Sequence, residues 1–348
     1  MSVVIASRGR PGSLVRCLHA LCAQSVPRGR FEVVVCDDES PEPLEPLLAS
    51  FADRLTLRVV RQRHAGPAAA RNQGARNAVG RHLAFTDDDC VPAPEWLELL
   101  LARFERHPGH LIGGSIVNLL PDDPYATATQ LIMSCVYDYY ARHPAGQRFY
   151  STTNLATPAS RFWLLNGFSE RFPRAAGEDY DFCARWHEAG FSDVYAPEVE
   201  VGHGHPHTFR SFVRQHFNYG RALFRVREGM ARRRGRGGIQ LESPSFYREI
   251  LLYPLRQQFG ARALQYTALV LLSQAATAVG AFWEWAIAPD PSFRQPEPPI
   301  AESESSDAPI PRISGEPRRG GRRPSPSPGA TRAPRATDAP STGPGASP

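Results

Sequence analysis

The chain has 348 residues, 42% of them hydrophobic, a formal net charge of +5, and 40 basic residues that are all arginine. That length allows one large domain or two modest ones, and the apolar share can fill a sizeable core. The lack of lysine excludes a phosphate loop of the GK[ST] type and any Schiff-base chemistry.

The six cysteines form no CxxC pair and mostly lie in apolar stretches, so they read as buried free thiols of a reducing compartment. Ser2-Val3-Val4-Ile5 is too short for a signal peptide and is followed at once by Arg8 and Arg10; it reads as a first strand, Ser2 to Ala6. Ser13 to Gln24 then has Leu14, Cys17, Leu18 and Leu21 at helical spacing. Phe31 to Cys36 is an apolar strand running into Asp37-Asp38, Leu44 to Phe51 a helix, and Leu55 to Val60 an alternating strand. Pro67 to Val79 is an alanine-rich helix, His82 to Thr86 a strand running into Asp87-Asp88-Asp89, and Glu95 to Glu105 a helix. This alternation predicts a parallel sheet with helices on both faces, and its ligand beyond the carboxyl ends of the strands, where the aspartates fall.

Further on, Ile112 to Leu119 reads as a strand, Ala128 to Tyr140 as a helix with an aromatic stripe, Asp179 to Glu188 as a helix and Val194 to Ala196 as a short strand. From Thr208 to Arg233 a helix interleaves Phe209, Phe212, Phe217, Tyr219 and Phe224 with Arg210, Arg214, Arg221 and Arg225. Tyr266 to Trp285 is the most apolar stretch, but Ser273, Gln274 and Thr277 interrupt it; a core or membrane-surface helix fits it better than a span. Arg232-Arg233-Arg234 with Arg236, and Arg318, Arg319, Arg322 and Arg323, form basic runs that would attract phosphates. Pro289 to Pro348 is rich in Pro, Ser, Gly, Ala and Arg, a composition that predicts disorder.

Three consecutive carboxylates repel one another, and a hard divalent cation offsets that cost. A second acidic cluster, Glu178-Asp179-Tyr180-Asp181, can supply a base. The motifs come in the order Ser2-Val3-Val4-Ile5, Val33-Val34-Val35-Cys36-Asp37-Asp38-Glu39-Ser40, Gly66-Pro67-Ala68-Ala69-Ala70-Arg71-Asn72, Phe85-Thr86-Asp87-Asp88-Asp89, Leu165-Asn166-Gly167-Phe168 and Gly177-Glu178-Asp179-Tyr180-Asp181.

That order closely resembles the family 2 glycosyltransferases, over about residues 2 to 225. The resemblance implies an α/β GT-A fold, with a mostly parallel central sheet flanked by helices. Residues 226 to 287 would form a helical C-terminal extension and 288 to 348 a disordered tail. It also implies a nucleotide-sugar donor (a UDP- or dTDP-sugar), Mg²⁺ or Mn²⁺, inversion at the anomeric carbon, and a glycan or lipid-linked acceptor. By position, Asp179 would be the catalytic base. Ser7, Asp38, Arg71, Asp87 and Asp88 would bind the donor, with Asp38 on the nucleotide base. Asp87, Asp89 and His203 would hold the metal. Asn154, Trp163, Phe168, Glu178 and Asp181 would lie on the acceptor side. His205 and His207 read as loop histidines. The family commonly has proline and threonine where this chain has Ala6 and Ser7, and glycine where it has Glu39. The QxxRW signature of processive synthases is absent, since Arg185-Trp186 lacks the glutamine, so addition of a single sugar is expected. A sugar-nucleotide-forming nucleotidyltransferase, an inactive nucleotide-sugar-binding protein and nucleic-acid binding through the arginine-aromatic helix fit less well. The basic and apolar helices together predict docking on an anionic membrane, at the cytoplasmic face.

Overall fold

Short β-branched runs separated by helical segments build an eight-stranded mixed sheet in the computed structural model, which describes residues 1–143, 148–172, 176–235 and 241–286. The expected tail and Arg318 to Arg323 lie outside them. The described residues all belong to one compact unit. Its strands are β1 (Ser2–Ser7), β2 (Glu32–Asp38), β3 (Leu57–Gln62), β4 (His82–Asp87), β5 (Cys90–Pro92), β6 (Leu111–Asn118), β7 (Leu155–Pro158) and β8 (Asp193–His203). The helices are α1 (Pro11–Cys22), α2 (Glu45–Leu48), α3 (Pro67–Arg76), α4 (Trp96–Arg106), α5 (Pro124–Arg142), α6 (Ala159–Leu164), α7 (Glu178–Glu188), α8 (Phe209–Arg233), α9 (Pro244–Gln257) and α10 (Gly260–Ala286).

The strand order is β3-β2-β1-β4-β7-β6-β8-β5. The β3-β2-β1-β4 part is parallel, as the alternation predicts, and so is β6 with β8. β7 runs antiparallel to β4 and β6, and β5 antiparallel to β8, so the sheet is mixed. Two cores cover its faces. Val3 and Ile5 point with Val33 and Val35 toward α1, α2 and α4, while Val4 points to the other side, with α3, α5 and α7. The small residues of α3 have a packing reason: a Cβ on Gly74 would lie 2.6 Å from Val4 Cγ1, so the helix lies close against the sheet.

Register sets the chemistry. Ser7 pairs with Asp37 and Ala6 with Asp87, which brings the ends of three parallel strands to one edge. The antiparallel pairing of Cys90 with His203 draws the end of β8 to the same place. α8 runs unbroken through the boundary expected at residue 225. It packs on α10 at a close crossing: a Cβ on Gly220 would fall 1.8 Å from the Thr277 carbonyl oxygen, and one on Gly280 1.9 Å from that of Phe217. From Arg221 onward the arginines of α8 and of its C-cap meet carboxylates. Arg221 and Arg225 clasp the buried Glu284 of α10, Arg227 meets Glu242, and Arg233 and Arg234 meet Glu188. Free thiols are borne out for all six cysteines, five of them buried.

Candidate active site

The carboxyl edge of β1, β2 and β4 carries the aspartate triplet, and each member has a different partner. Asp87, at the end of β4, accepts from Arg71 Nη2 at 2.6 Å and from Thr153 Oγ1 at 3.1 Å. Asp88 is fully buried; Ser7 Oγ donates to it at 2.7 Å and Arg10 Nη2 lies 2.5 Å away. Burial pushes its carboxyl up to about 6 against the pull of Arg10 and Ser7. Asp89 meets Arg10 Nη1 at 2.6 Å, His205 Nδ1 at 2.9 Å and His203 Nε2 at 3.4 Å. Burial opposes its ionisation, but the hydrogen bonds to His203 and His205 outweigh it and hold the carboxyl below the usual range. His203, though penalised by burial, is raised by the same pairing.

Asp89, Cys90 and His203 place ligand atoms within 4.8 Å of one another. Burial drives the Cys90 thiol well above its ordinary range, and a soft sulfur is a poor match for a hard cation such as Mg²⁺ or Mn²⁺. Carboxylate oxygens and imidazole nitrogens are what remains, a donor set that suits Mn²⁺ and, through its oxygens, Mg²⁺. In their free form the acids take their positive charge from Arg10, whose side chain is 43% exposed at the start of α1.

Arg71 joins the two acidic clusters. It is 4% exposed, with Nη2 on Asp87 and Nη1 donating to Glu178 Oε1 at 2.7 Å. Glu178 and Asp179 open α7 behind Gly177, which is left-handed at φ 93°. Burial, then the charge of Asp179, pushes Glu178 up to about 7, against Arg71. Asp179 is half-buried, and its Oδ1 accepts from the Tyr180 N–H at 2.8 Å. Burial raises its pKa too, against that hydrogen bond and Arg71. A carboxylate so placed is a stronger base than an exposed one.

The other expected site residues lie elsewhere. Asp38 has both oxygens engaged, Oδ1 by Gln62 Nε2 and the Ala65 N–H, Oδ2 by His64 Nδ1 and the Gly66 N–H, all within 3.0 Å. It pins the loop before α3 instead of facing outward. Asn154 is 2% exposed and bonds Trp96 Nε1 and the carbonyls of Ser115 and Val199, which makes it a structural tie. Phe168 is core, edge-on to Phe85. Trp163 lies under Arg76. Asp181 pairs with Arg185 and Arg233. The sequence reading missed Arg10 and Thr153, and took His205 for a loop residue. For His205 the signal was present: two residues beyond His203, it is close enough to share Asp89.

The mixed sheet with flanking helices is a GT-A fold, and comparison with known proteins carries the reading further. Residues 2–166 match the family Glycosyl transferase family 2. A validoxylamine A glucosyltransferase from Streptomyces hygroscopicus subsp. jinggangensis is 28% identical over 60% of this chain and 56% of its own length. The glycosyltransferase AglE of Haloferax volcanii is 26% identical over 65% of this chain and 73% of its own. A pre-mycofactocin glycosyltransferase of Mycobacterium tuberculosis is 30% identical over 63% and 46% respectively. The chain thus spans little more than half the length of the validoxylamine A glucosyltransferases it matches. Among solved structures, a mannosyltransferase from Pyrobaculum calidifontis, in complex with GDP-Man and Mn²⁺, superposes with a TM-score of 0.52 at 18% identity, over 84% of this chain and 81% of that one. The match over residues 2–166, together with these relatives, supports a family 2 glycosyltransferase.

Proposed function

We propose that this protein is an inverting, divalent-metal-dependent glycosyltransferase that moves a single sugar from a nucleoside-diphosphate sugar to an acceptor hydroxyl. The carrying observation is the Arg71 bridge. One guanidinium spans Asp87 at the donor edge and Glu178 beside Asp179, which keeps the two halves of the site in register. Asp179 accepts the acceptor's proton as the oxygen attacks; its raised basicity suits a late proton transfer. Asp87, Asp89, His203 and His205 would hold Mg²⁺ or Mn²⁺, which when bound supplies Lewis-acid neutralisation of the departing diphosphate, worth several kcal/mol. Ser7 and Asp88 shape the donor side. The mannosyltransferase crystallised with GDP-Man and Mn²⁺ supports this reading through the shared fold.

The donor is read as a UDP- or dTDP-sugar, and the acceptor as a glycan or lipid-linked glycan of cell-envelope synthesis. We place the protein in the cytoplasm, in peripheral contact with the inner face of the membrane; its free thiols support the compartment. The test is turnover. Nucleoside diphosphate release from a panel of UDP-, dTDP- and GDP-sugars, with Mn²⁺ and a lipid extract as acceptor, should be metal-dependent, and the product's anomeric configuration opposite to the donor's. A retained configuration, or sugar transfer undiminished in EDTA, would refute the reading.

A further inference from the structure

Beyond Arg262 in its first turn, α10 carries no exposed charge on either face. The inner face is packed on α8 through Gly280 and the Glu284 pairs with Arg221 and Arg225. On the opposite side Leu264, Leu271, Val279, Phe282 and Trp285 follow one helical stripe, each more than half exposed. At 1.5 Å per residue the stripe is about 30 Å long. An uncovered apolar band of that size calls for a partner.

Three observations select a lipid surface. From Ser243 to Ala286 the chain has two carboxylates. Glu249 is paired with Arg142 and Glu284 is buried, so no acid opposes an anionic headgroup. Three arginines of that segment, Arg248, Arg256 and Arg262, are exposed, beside the exposed Leu252, Leu255 and Phe259. Exposed tryptophan and phenylalanine at one end suit the headgroup boundary. The 62 residues after Ala286 are too poor in apolar side chains to cover such a stripe. α10 is long and apolar enough to cross a bilayer by length and composition alone. Spanning would take its buried Glu284 and its glycine crossing off α8, so the helix lies along the surface.

We infer that the outer face of α10, with the exposed arginines of α9 and of the first turn of α10, binds the surface of an anionic bilayer in the plane of the interface. The inference rests on the peripheral-membrane reading above and names the face. Flotation of the full chain with vesicles of phosphatidylcholine containing 30% phosphatidylglycerol (about the anionic share that recruits basic apolar surfaces) should recover it with the lipid. Leu271→Glu with Phe282→Glu should lower the bound fraction about tenfold or more, with an unchanged unfolding midpoint. Arg248→Gln with Arg262→Gln should weaken binding severalfold in low salt only. If the wild type fails to float, membrane contact itself is wrong. If it floats and Leu271→Glu with Phe282→Glu floats equally, the face is wrong. If that variant instead turns a sedimenting dimer into monomer without changing flotation, the stripe is covered by a second copy and the inference is overturned.

Discussion

Arg10 contacts Asp88 and Asp89 with separate nitrogens, so the acidic edge carries its own counter-charge. A divalent cation must compete with that guanidinium. Arg10→Gln should therefore tighten Mn²⁺ binding about three- to tenfold, measured by the loss of free Mn²⁺ signal in electron paramagnetic resonance; weaker binding would mean that Arg10 supports the metal. Asp179→Asn should keep donor affinity within about twofold and lower turnover a hundredfold or more; steady-state kinetics with retained turnover would remove Asp179 as the base. Asp87, Asp89 and Asp179 stood out in the sequence as clustered acids after an apolar run and at the start of a helix, and Arg71 through the resemblance of its motif. Asp38, Asn154 and Phe168 have partners that the sequence did not reveal. Their neighbours along the chain give no hint of Gln62, Trp96 or Phe85, which reach them only after folding. The departure at Glu39 was visible and has a physical counterpart: this residue is left-handed at φ 62°, a conformation in which glycine is at ease.

Among the elements, the parallel β1 to β4 unit and its helices fell within a few residues of expectation, because hydrophobic periodicity is strong there. β5 and β7 span three and four residues and were unreadable; a strand that short has no period. β8 was expected only over Val194 to Ala196, since Pro197 reads as a stop, yet it continues to His203 past an irregularity opposite Gly114/Ser115. α9 contains Pro254, which reads as a helix breaker and here sits in the last turn. α8 and α10 were both expected, but their glycine crossing was not. It gives a sharp prediction: Gly280→Leu puts a side chain into the Phe217 backbone and should destabilise the protein by about 2 kcal/mol or more. The denaturation midpoint checks it, and an unchanged midpoint would mean that the helices do not meet there.

For the molecule as a whole, the site is a place where burial works against charge. Glu178 titrates near 7 in the folded protein and at 4.5 ordinarily, so between those values the folded state holds more protons than the unfolded chain. Stability from this group is therefore greatest below pH 4.5 and falls as pH rises to about 7. Relative to Glu178→Gln, the wild type should lose on the order of 2 kcal/mol across that window, read from denaturant unfolding at a series of pH values. A wild type that instead gains stability over Glu178→Gln as pH rises would mean that the Arg71 ion pair outweighs burial.

The account turns on the acidic edge binding a divalent cation together with a sugar nucleotide. Equilibrium dialysis of labelled UDP-, dTDP- and GDP-sugars against the full chain, with Mn²⁺ or with EDTA, measures this directly. One of the three should bind with Mn²⁺ and lose at least tenfold in affinity both in EDTA and in Asp89→Ala. Equal binding in all three conditions, or Mn²⁺ without effect on any donor, would contradict it.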